Sequence, residues 1–363
     1  MGQPSLLPYP VYNIFININN GCNLRCSYCW YNKTNPFGAF EEMSQELFRD
    51  SLECIKQSII MWRNNRHFFQ YPMFRVAIAT KEPLLSFNSL IKPVLDDFDF
   101  RDYFSIYLLT NATLLTQEIV DWCADKGIVI QTSIDGCETA HNLNRMSHKE
   151  IIQNLQMIKD KRNGLFIVAT LDKNAVPYVK KNLEFFRDTF PETLIKFNFN
   201  IFKHWTDEDW QEVLRQYEEF ISENDCSKLR FFDIYKEMPP FIDEGRGYVI
   251  GIDRHGKLSI KKPFHSSIPK LPENEILNRF NYGSIYNVNY PDWIEFFQIF
   301  GRDFSNTRFQ NLDGQCANCV DRIQCFNCDY AGKAQVYWLS SDECKLKTFR
   351  HNIAKLLKEK ENL

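Results

Sequence analysis

The chain has 363 residues, 44% of them hydrophobic and 25% charged, enough for about two domains with sizeable cores, which excludes a disordered or fibrous protein. A net charge of -3 argues against nucleic acid or a membrane surface as partner. No apolar run approaches the roughly 18 residues of a spanning helix. The start, "MGQPSLLPYP", has neither the basic residues nor the apolar stretch of a secretory signal, and Leu6 breaks the myristoylation pattern. The sequence therefore reads as cytoplasmic.

Along the chain, strand-like runs alternate with helical periods. "YNIFININN" sets Ile14, Ile16 and Ile18 on one face and Phe15, Asn17 and Asn19 on the other, a period of two. Phe48, Leu52, Ile55 and Ile59 then recur at helical spacing, with Ser44 placed to cap the start. Further strands are expected at 74–80, 104–110, 128–134, 165–171 and 194–202. Between them lie helical patterns at Ile151, Leu155, Ile158 and at Val179, Leu183, Phe186; another begins at Thr206 with Trp210, Val213, Tyr217 and Phe220. Most of the 31 Phe residues are expected in the core.

Six strand–helix units imply parallel strands with right-handed crossovers, in a partial (β/α)6 barrel or a doubly wound sheet. In both, chemistry collects at the C-terminal ends of the strands. Beyond Cys226 the pattern changes. "GYVIGIDRHGKLSI" reads as a hairpin turning near His255-Gly256, a basic loop and an aromatic stretch follow, and a charged helix ends the sequence. No internal repeat or low-complexity tract is present. The organisation expected is a barrel over 1–225, a hairpin and linking region over 226–300, and a cysteine-bearing domain with a C-terminal helix over 301–363.

Twelve cysteines in a reducing compartment point away from disulfides. Eight are clustered: Cys22, Cys26 and Cys29 directly after the first strand, and Cys316, Cys319, Cys325, Cys328 and Cys344 near the end. Cys54, Cys123, Cys137 and Cys226 are scattered and read as small buried hydrophobes. Such clustering indicates metal. A cubane 4Fe–4S cluster has four corners, so C-x3-C-x2-C supplies three ligands and leaves one iron open. Zinc with a distant fourth ligand is the alternative, whereas a structural metal site would fill all four positions.

With Tyr28 before the third cysteine, this motif resembles that of the radical S-adenosylmethionine (radical SAM) enzymes. The resemblance covers about residues 1–205. It implies that the open iron binds S-adenosylmethionine, whose reductive cleavage gives a 5′-deoxyadenosyl radical that abstracts hydrogen from substrate. "ATKEPLL" resembles the family's Gly-Gly-Glu-Pro turn, with Glu82 accepting the cofactor's ammonium and Thr80 and Lys81 in place of the glycines. "TNATLLT", containing Asn111, resembles the ending of the third strand. "TSIDG" followed by "HNLNR" resembles the fourth-strand element, where Ser133 meets the ribose or carboxylate and Arg145 the carboxylate; Asp135 belongs to the same element.

The second cysteine group resembles the extension called SPASM, which holds two auxiliary 4Fe–4S clusters. By that correspondence Cys316, Cys319, Cys325 and Cys344 hold the outer cluster. The fourth spacing is shorter than the family's, leaving Cys328 spare or an alternative ligand, and the hairpin has no cysteine, with Lys261 where a ligand is expected. One auxiliary 4Fe–4S cluster is therefore expected rather than two, with zinc possible in its place. Lys262 stands where sulfatase-maturing members carry a carboxylate; the two lysines read either as a seat for an acidic substrate or as a solvated hairpin edge.

The resemblance implies hydrogen abstraction from a peptide or protein, giving a crosslink, epimerisation or oxidation. It also implies a flavodoxin- or ferredoxin-type electron donor. Because the sequence starts almost at its first strand, a leader peptide is expected to need a separate binding protein or the C-terminal region. The rivals are a sulfatase-maturase-like or small-molecule dehydrogenase activity, and a non-enzymatic iron–sulfur or zinc scaffold.

Overall fold

A computed structural model describes residues 11–29, 39–64, 73–79, 81–200, 205–226, 249–260 and 281–284. Thr80, Lys261, Lys262, the five C-terminal cysteines and the expected final helix lie outside the described residues. The chain divides into two compact units, 1–21, 40–107 and 238–338 in the first and 22–39, 108–237 and 339–363 in the second.

In the first unit, β1 (Val11–Asn17) and β2 (Met73–Ala79) pair in parallel, setting Ile14 beside Val76 and Ile16 beside Ile78. Ile14, Ile16 and Ile18 are buried as the alternation implies; on the other face Phe15 is half-exposed, but Asn17 and Asn19 are buried too. Helix α1 (Gln45–Asn64) starts where expected, since Ser44 Oγ accepts the Leu47 N–H at 3.1 Å, filling one of the donors a helix start leaves open. Its stripe of Phe48, Leu52, Ile55 and Ile59 is buried. After a 3-10 turn (Pro83–Ser86) and a π turn (Phe87–Ile91) comes the short α2 (Lys92–Asp96).

The hairpin consists of β7 (Val249–Ile252) and β8 (Lys257–Ile260), antiparallel about Gly256 at φ 74°. Glycine takes that left-handed conformation at no steric cost. β7 also pairs in parallel with β1, Ile14 with Ile250 and Ile16 with Ile252, and β9 (Asn281–Ser284) pairs with β8. The hairpin was legible, but its attachment to β1 was not: a four-residue strand carries too little pattern to fix a partner.

The division between units falls inside β3 (Ser105–Thr110), after Tyr107. The second unit then runs α3 (Gln117–Lys126), β4 (Val129–Ser133), α4 (Glu138–Asn142), α5 (His148–Gln156), α6 (Lys161–Gly164), β5 (Leu165–Leu171), α7 (Val179–Thr189), β6 (Leu194–Phe199) and α8 (Asp207–Glu223). β4, β5 and β6 are parallel, in a register that aligns Thr132, Ile167 and Ile195 on the buried face and Ser133, Val168 and Lys196 on the half-exposed one. Lys196 is the one charged side chain in these three strands.

Two boundaries differ from expectation. α5 ends at Gln156, leaving Ile158 buried in the following turn. β6 stops at Phe199, because Asn200 turns aside: its N–H reaches the Leu171 carbonyl at 2.8 Å and its amide donates to Asp172 at 2.7 Å. Phe186, Phe197 and Tyr217 then form an edge-to-face chain, with Phe199, Trp205 and Trp210 packed together nearby. The strand order is β2-β1-β7-β8-β9 in the first unit and β6-β5-β4 in the second, each an α/β arrangement or its hairpin extension.

Candidate functional site

The three cysteines follow β1 on a loop whose described part ends at Cys29, and all three are half-buried. Polar anchors fasten its described part at two points. At its first half, Asn111 donates to Asn23 Oδ1 at 2.8 Å and lies 3.8 Å from Cys22 Sγ, while Asn23 donates to Thr113 Oγ1 at 2.7 Å. The anchor is itself rigid. Asn111 Oδ1 accepts the Thr113 N–H at 3.0 Å, Ala112 is held at φ 64°, and Asn154 caps the Ala112 and Thr113 carbonyls at 2.9 and 3.2 Å. A non-glycine residue keeps a positive φ only where its surroundings over-determine it.

At the second half, the Ser27 N–H donates to the Asn144 carbonyl at 2.8 Å and its hydroxyl to Asn144 Oδ1 at 2.7 Å. Tyr28 donates to Asp135 Oδ2 at 2.5 Å and accepts from Arg145 Nη2 at 2.7 Å. Arg145 Nε lies 3.4 Å from the same carboxylate oxygen, and Asp135 Oδ1 accepts the Thr170 N–H at 3.0 Å. Asp135 and Arg145 are almost fully buried.

Burial first, then the Asp135 charge, holds the Tyr28 hydroxyl well above its ordinary range. For Arg145, burial works against the cation, but Asp135 and Tyr28 more than offset it and keep the guanidinium charged. Burial pushes the Cys26 thiol up to about 11, with Arg145 pulling in the opposite direction.

The turn carrying Asp135 needs its glycine. Gly136 sits at φ 132°, and a Cβ there would lie 2.1 Å from the Asn182 side chain, which accepts the Cys137 N–H at 3.0 Å. Behind it, buried His141 accepts the Asp135 N–H on Nδ1 at 3.2 Å, leaving Nε2 to donate to the Met146 carbonyl at 3.2 Å. Burial brings its pKa down to about 4.

In the first unit, Glu82 is fully buried at the end of the β2 segment. Its Oε1 accepts the Leu84 N–H at 3.0 Å, its own N–H donates to the Gly21 carbonyl at 2.8 Å, and its carbonyl accepts from Asn19 at 3.1 Å. Gly21, one residue before Cys22, is closely covered: a Cβ there would lie 2.6 Å from the Phe40 ring.

Of the residues singled out from the sequence, Asn111 lies against Cys22, while Tyr28, Asp135 and Arg145 form a second polar group on the stretch from Cys26 to Cys29, with Ser133 half-exposed at the end of β4. Asn23 and Thr113 go with the first group and Asn144 and His141 with the second, and all four were missed. Their only signal was adjacency to Cys22, Asn111 and Arg145.

Among the described residues no three His, Cys, Asp or Glu side chains converge on a single metal ion. A cubane cluster spreads its thiolates over different irons, so one-point convergence is not what it requires. The donor chemistry fits such a cluster: Cys22 Sγ already accepts the Leu24 N–H at 3.4 Å and faces the Asn111 amide, donors that favour thiolate.

Residues 16–175 match the family model of the Radical SAM superfamily. Over that segment the chain matches the module of an enzyme class that uses a 4Fe–4S cluster and S-adenosylmethionine. Among curated proteins it is 22% identical over 244 residues to the cysteine-type anaerobic sulfatase-maturating enzyme of Clostridium perfringens, a match covering 59% of this chain and 62% of that protein. The chain thus spans less than two thirds of the length of that relative. An uncharacterised protein of Methanocaldococcus jannaschii is 22% identical over 182 residues, 48% of this chain and 57% of its own. Among solved structures, native anSMEcpe with bound AdoMet superposes with a TM-score of 0.67 at 16% identity, over 97% of this chain and all of that one. The complex of the same protein with AdoMet and the Cp18Cys peptide gives 0.66 at 17% identity, covering 97% and 99%. At these identities the likeness is one of fold. Among the described residues no helix is long and apolar enough to cross a membrane.

Proposed function

We propose that the chain is a radical SAM enzyme that abstracts hydrogen from a peptide or protein substrate and so modifies it. The observation that carries this reading is the cysteine loop, whose described part is fastened at two points: three thiols on a stretch held by fixed polar neighbours suit a cofactor seat. The radical SAM match over 16–175 and the relation to a sulfatase-maturating enzyme support it.

In this reading Cys22, Cys26 and Cys29 hold the cluster, and the buried carboxylate of Glu82 takes the ammonium of S-adenosylmethionine, since a carboxylate only accepts and pairs best with a cationic donor. Ser133 and Asn111 take polar parts of the cofactor, and the Tyr28 ring supplies an apolar wall. When bound, cluster and cofactor supply reductive cleavage of the sulfonium bond and hydrogen abstraction from substrate. The half-exposed face of β4–β6, with Ser133, Val168 and Lys196 in one row, lies open to substrate.

The C-terminal cysteines are assigned to one auxiliary cluster, 4Fe–4S or zinc, and a flavodoxin- or ferredoxin-type protein is assigned as donor, in the cytoplasm. A separate leader-binding protein is included as a further partner. A sulfatase-maturase-like activity is the second reading, favoured by the curated relative.

The test is anaerobic reconstitution with iron and sulfide, reduction with dithionite in the presence of S-adenosylmethionine, and assay of 5′-deoxyadenosine. Wild type is expected to form it and a Cys22/Cys26/Cys29→Ala variant to form none. No deoxyadenosine from a fully loaded protein would overturn the reading. Stimulation by a cysteine-containing sulfatase peptide, with formylglycine as product, would select the second.

A further inference from the structure

The second half of the cysteine loop is fastened twice, and the two fastenings differ in kind. Ser27 is held to Asn144 by two neutral hydrogen bonds of 2.8 and 2.7 Å. One residue on, Tyr28 is held by a buried ion pair, Arg145 and Asp135 being 8% and 3% exposed. Desolvating two charges is costly, and an apolar or neutral contact would anchor a loop as well. With neutral bonds already in place, anchoring alone leaves the charges unexplained.

What the pair has that the neutral bonds lack is a field. Tyr28 stands between Cys26 and Cys29 in sequence, and its hydroxyl is shared by the Asp135 carboxylate and by Arg145, whose guanidinium also lies 5.6 Å from the Tyr28 ring centre. Neither is free to move, because Thr170 and His141 hold the Asp135 end. In a low-dielectric setting a fixed cation favours any state that carries one more electron, and a fixed anion disfavours it.

We propose that Arg145 and Asp135 are positioning residues that set the reduction potential of a cluster held by Cys22, Cys26 and Cys29, Arg145 raising it and Asp135 lowering it, with Tyr28 keeping both at constant separation from the loop. The inference rests on the cluster reading above.

The test is a potentiometric titration, followed by electron paramagnetic resonance, of the full chain reconstituted without S-adenosylmethionine. The signal that disappears in the Cys22/Cys26/Cys29→Ala variant identifies the loop cluster. Arg145→Gln is expected at a more negative potential than wild type and Asp135→Asn at a more positive one. Arg145→Lys, which keeps both charges, is expected near wild type. Shifts of opposite sign support the assignment, because a purely structural role gives no reason for the sign to follow the charge. Loaded variants that titrate with wild type, or that shift in the same direction, overturn it. If Arg145→Gln takes up no iron, the upward shift of Asp135→Asn against an unmoved Arg145→Lys decides in its favour, and coincidence of the two decides against. A wild type that loses no signal on removal of the three thiols would overturn the cluster reading itself, a result distinct from an unshifted potential.

Discussion

Asn111, the residue directly after β3, donates its side-chain amide to Asn23, the residue directly after Cys22, at 2.8 Å. One bond between two asparagines thereby ties the end of a strand to the start of the cysteine loop. Asn111 is 5% exposed and also accepts the Thr113 N–H and hydroxyl, at 3.0 and 2.7 Å. Asn111→Ala is expected to cost about 2 kcal/mol, several bonds at roughly 1 kcal/mol each. Its sharper effect is on the loop: cleavage near Cys22 in limited proteolysis should quicken more than the global unfolding rate. Equal change in both would mean that the asparagine serves only the fold.

Gly21 and Gly136 each stand where a Cβ would collide, yet their replacement should differ. At Gly21 the obstacle is the ring of Phe40, itself 52% exposed, so the ring can swing away. Gly21→Ala is expected to cost less than about 1 kcal/mol. At Gly136 the obstacle is Asn182, 2% exposed, and the backbone sits at φ 132°. Gly136→Ala should cost about 3 kcal/mol from clash and strain together. Adding Asn182→Ala should relieve the clash and leave the strain. Denaturant midpoints of the three variants check the order.

His141 makes stability depend on pH. Burial lowers its folded pKa to about 4, against an ordinary 6.5. Asp135 opposes the shift, while Arg145 and His148 add to it. Because the unfolded chain binds the proton more readily, protonation favours unfolding. The contribution is complete above about 6.5, falls as pH drops and is gone below about 4, an upper bound of roughly 3 kcal/mol. His141→Gln should flatten the stability curve between those pH values. An unchanged slope would assign the dependence elsewhere.

A variant remote from the loop separates its behaviour from that of the whole chain. Helix α8 opens with a capping box in which Thr206 Oγ1 accepts the Asp209 N–H at 3.2 Å and Asp209 Oδ2 accepts the Thr206 N–H at 2.7 Å. Thr206→Ala is expected to cost about 1 kcal/mol and to lower the melting temperature. Iron uptake at the cysteine loop and its proteolysis at low temperature should not change.

The alternation of Ile14, Ile16 and Ile18 and the stripe from Phe48 to Ile59 announced β1 and α1, because burial on one face leaves a period in the sequence. Ser44 announced the start of α1 through its capping chemistry. The spacing of Cys22, Cys26 and Cys29 announced the candidate site. What the sequence could not disclose were contacts across long separations. Ser27 meets Asn144, and Tyr28 meets Arg145, 117 residues away. Asparagine and serine are common loop residues for local reasons, so their presence gives no sign of a distant partner. Nor did Arg145, read from the sequence as a cofactor contact, disclose its bonds to Tyr28 and its ion pair with Asp135.

The double fastening of the cysteine loop bears on how the protein acquires and loses its inorganic centre. Small zinc domains are unfolded until their metal arrives, so binding and folding are one event. Here the bonds that order the described part of the loop run through Asn23, Ser27 and Tyr28 rather than through the three thiols, so the ordering cost is met by the rest of the fold. Assembly then resembles filling a finished socket. On the cluster reading, loss of iron to oxygen would empty that socket without unravelling the chain around it.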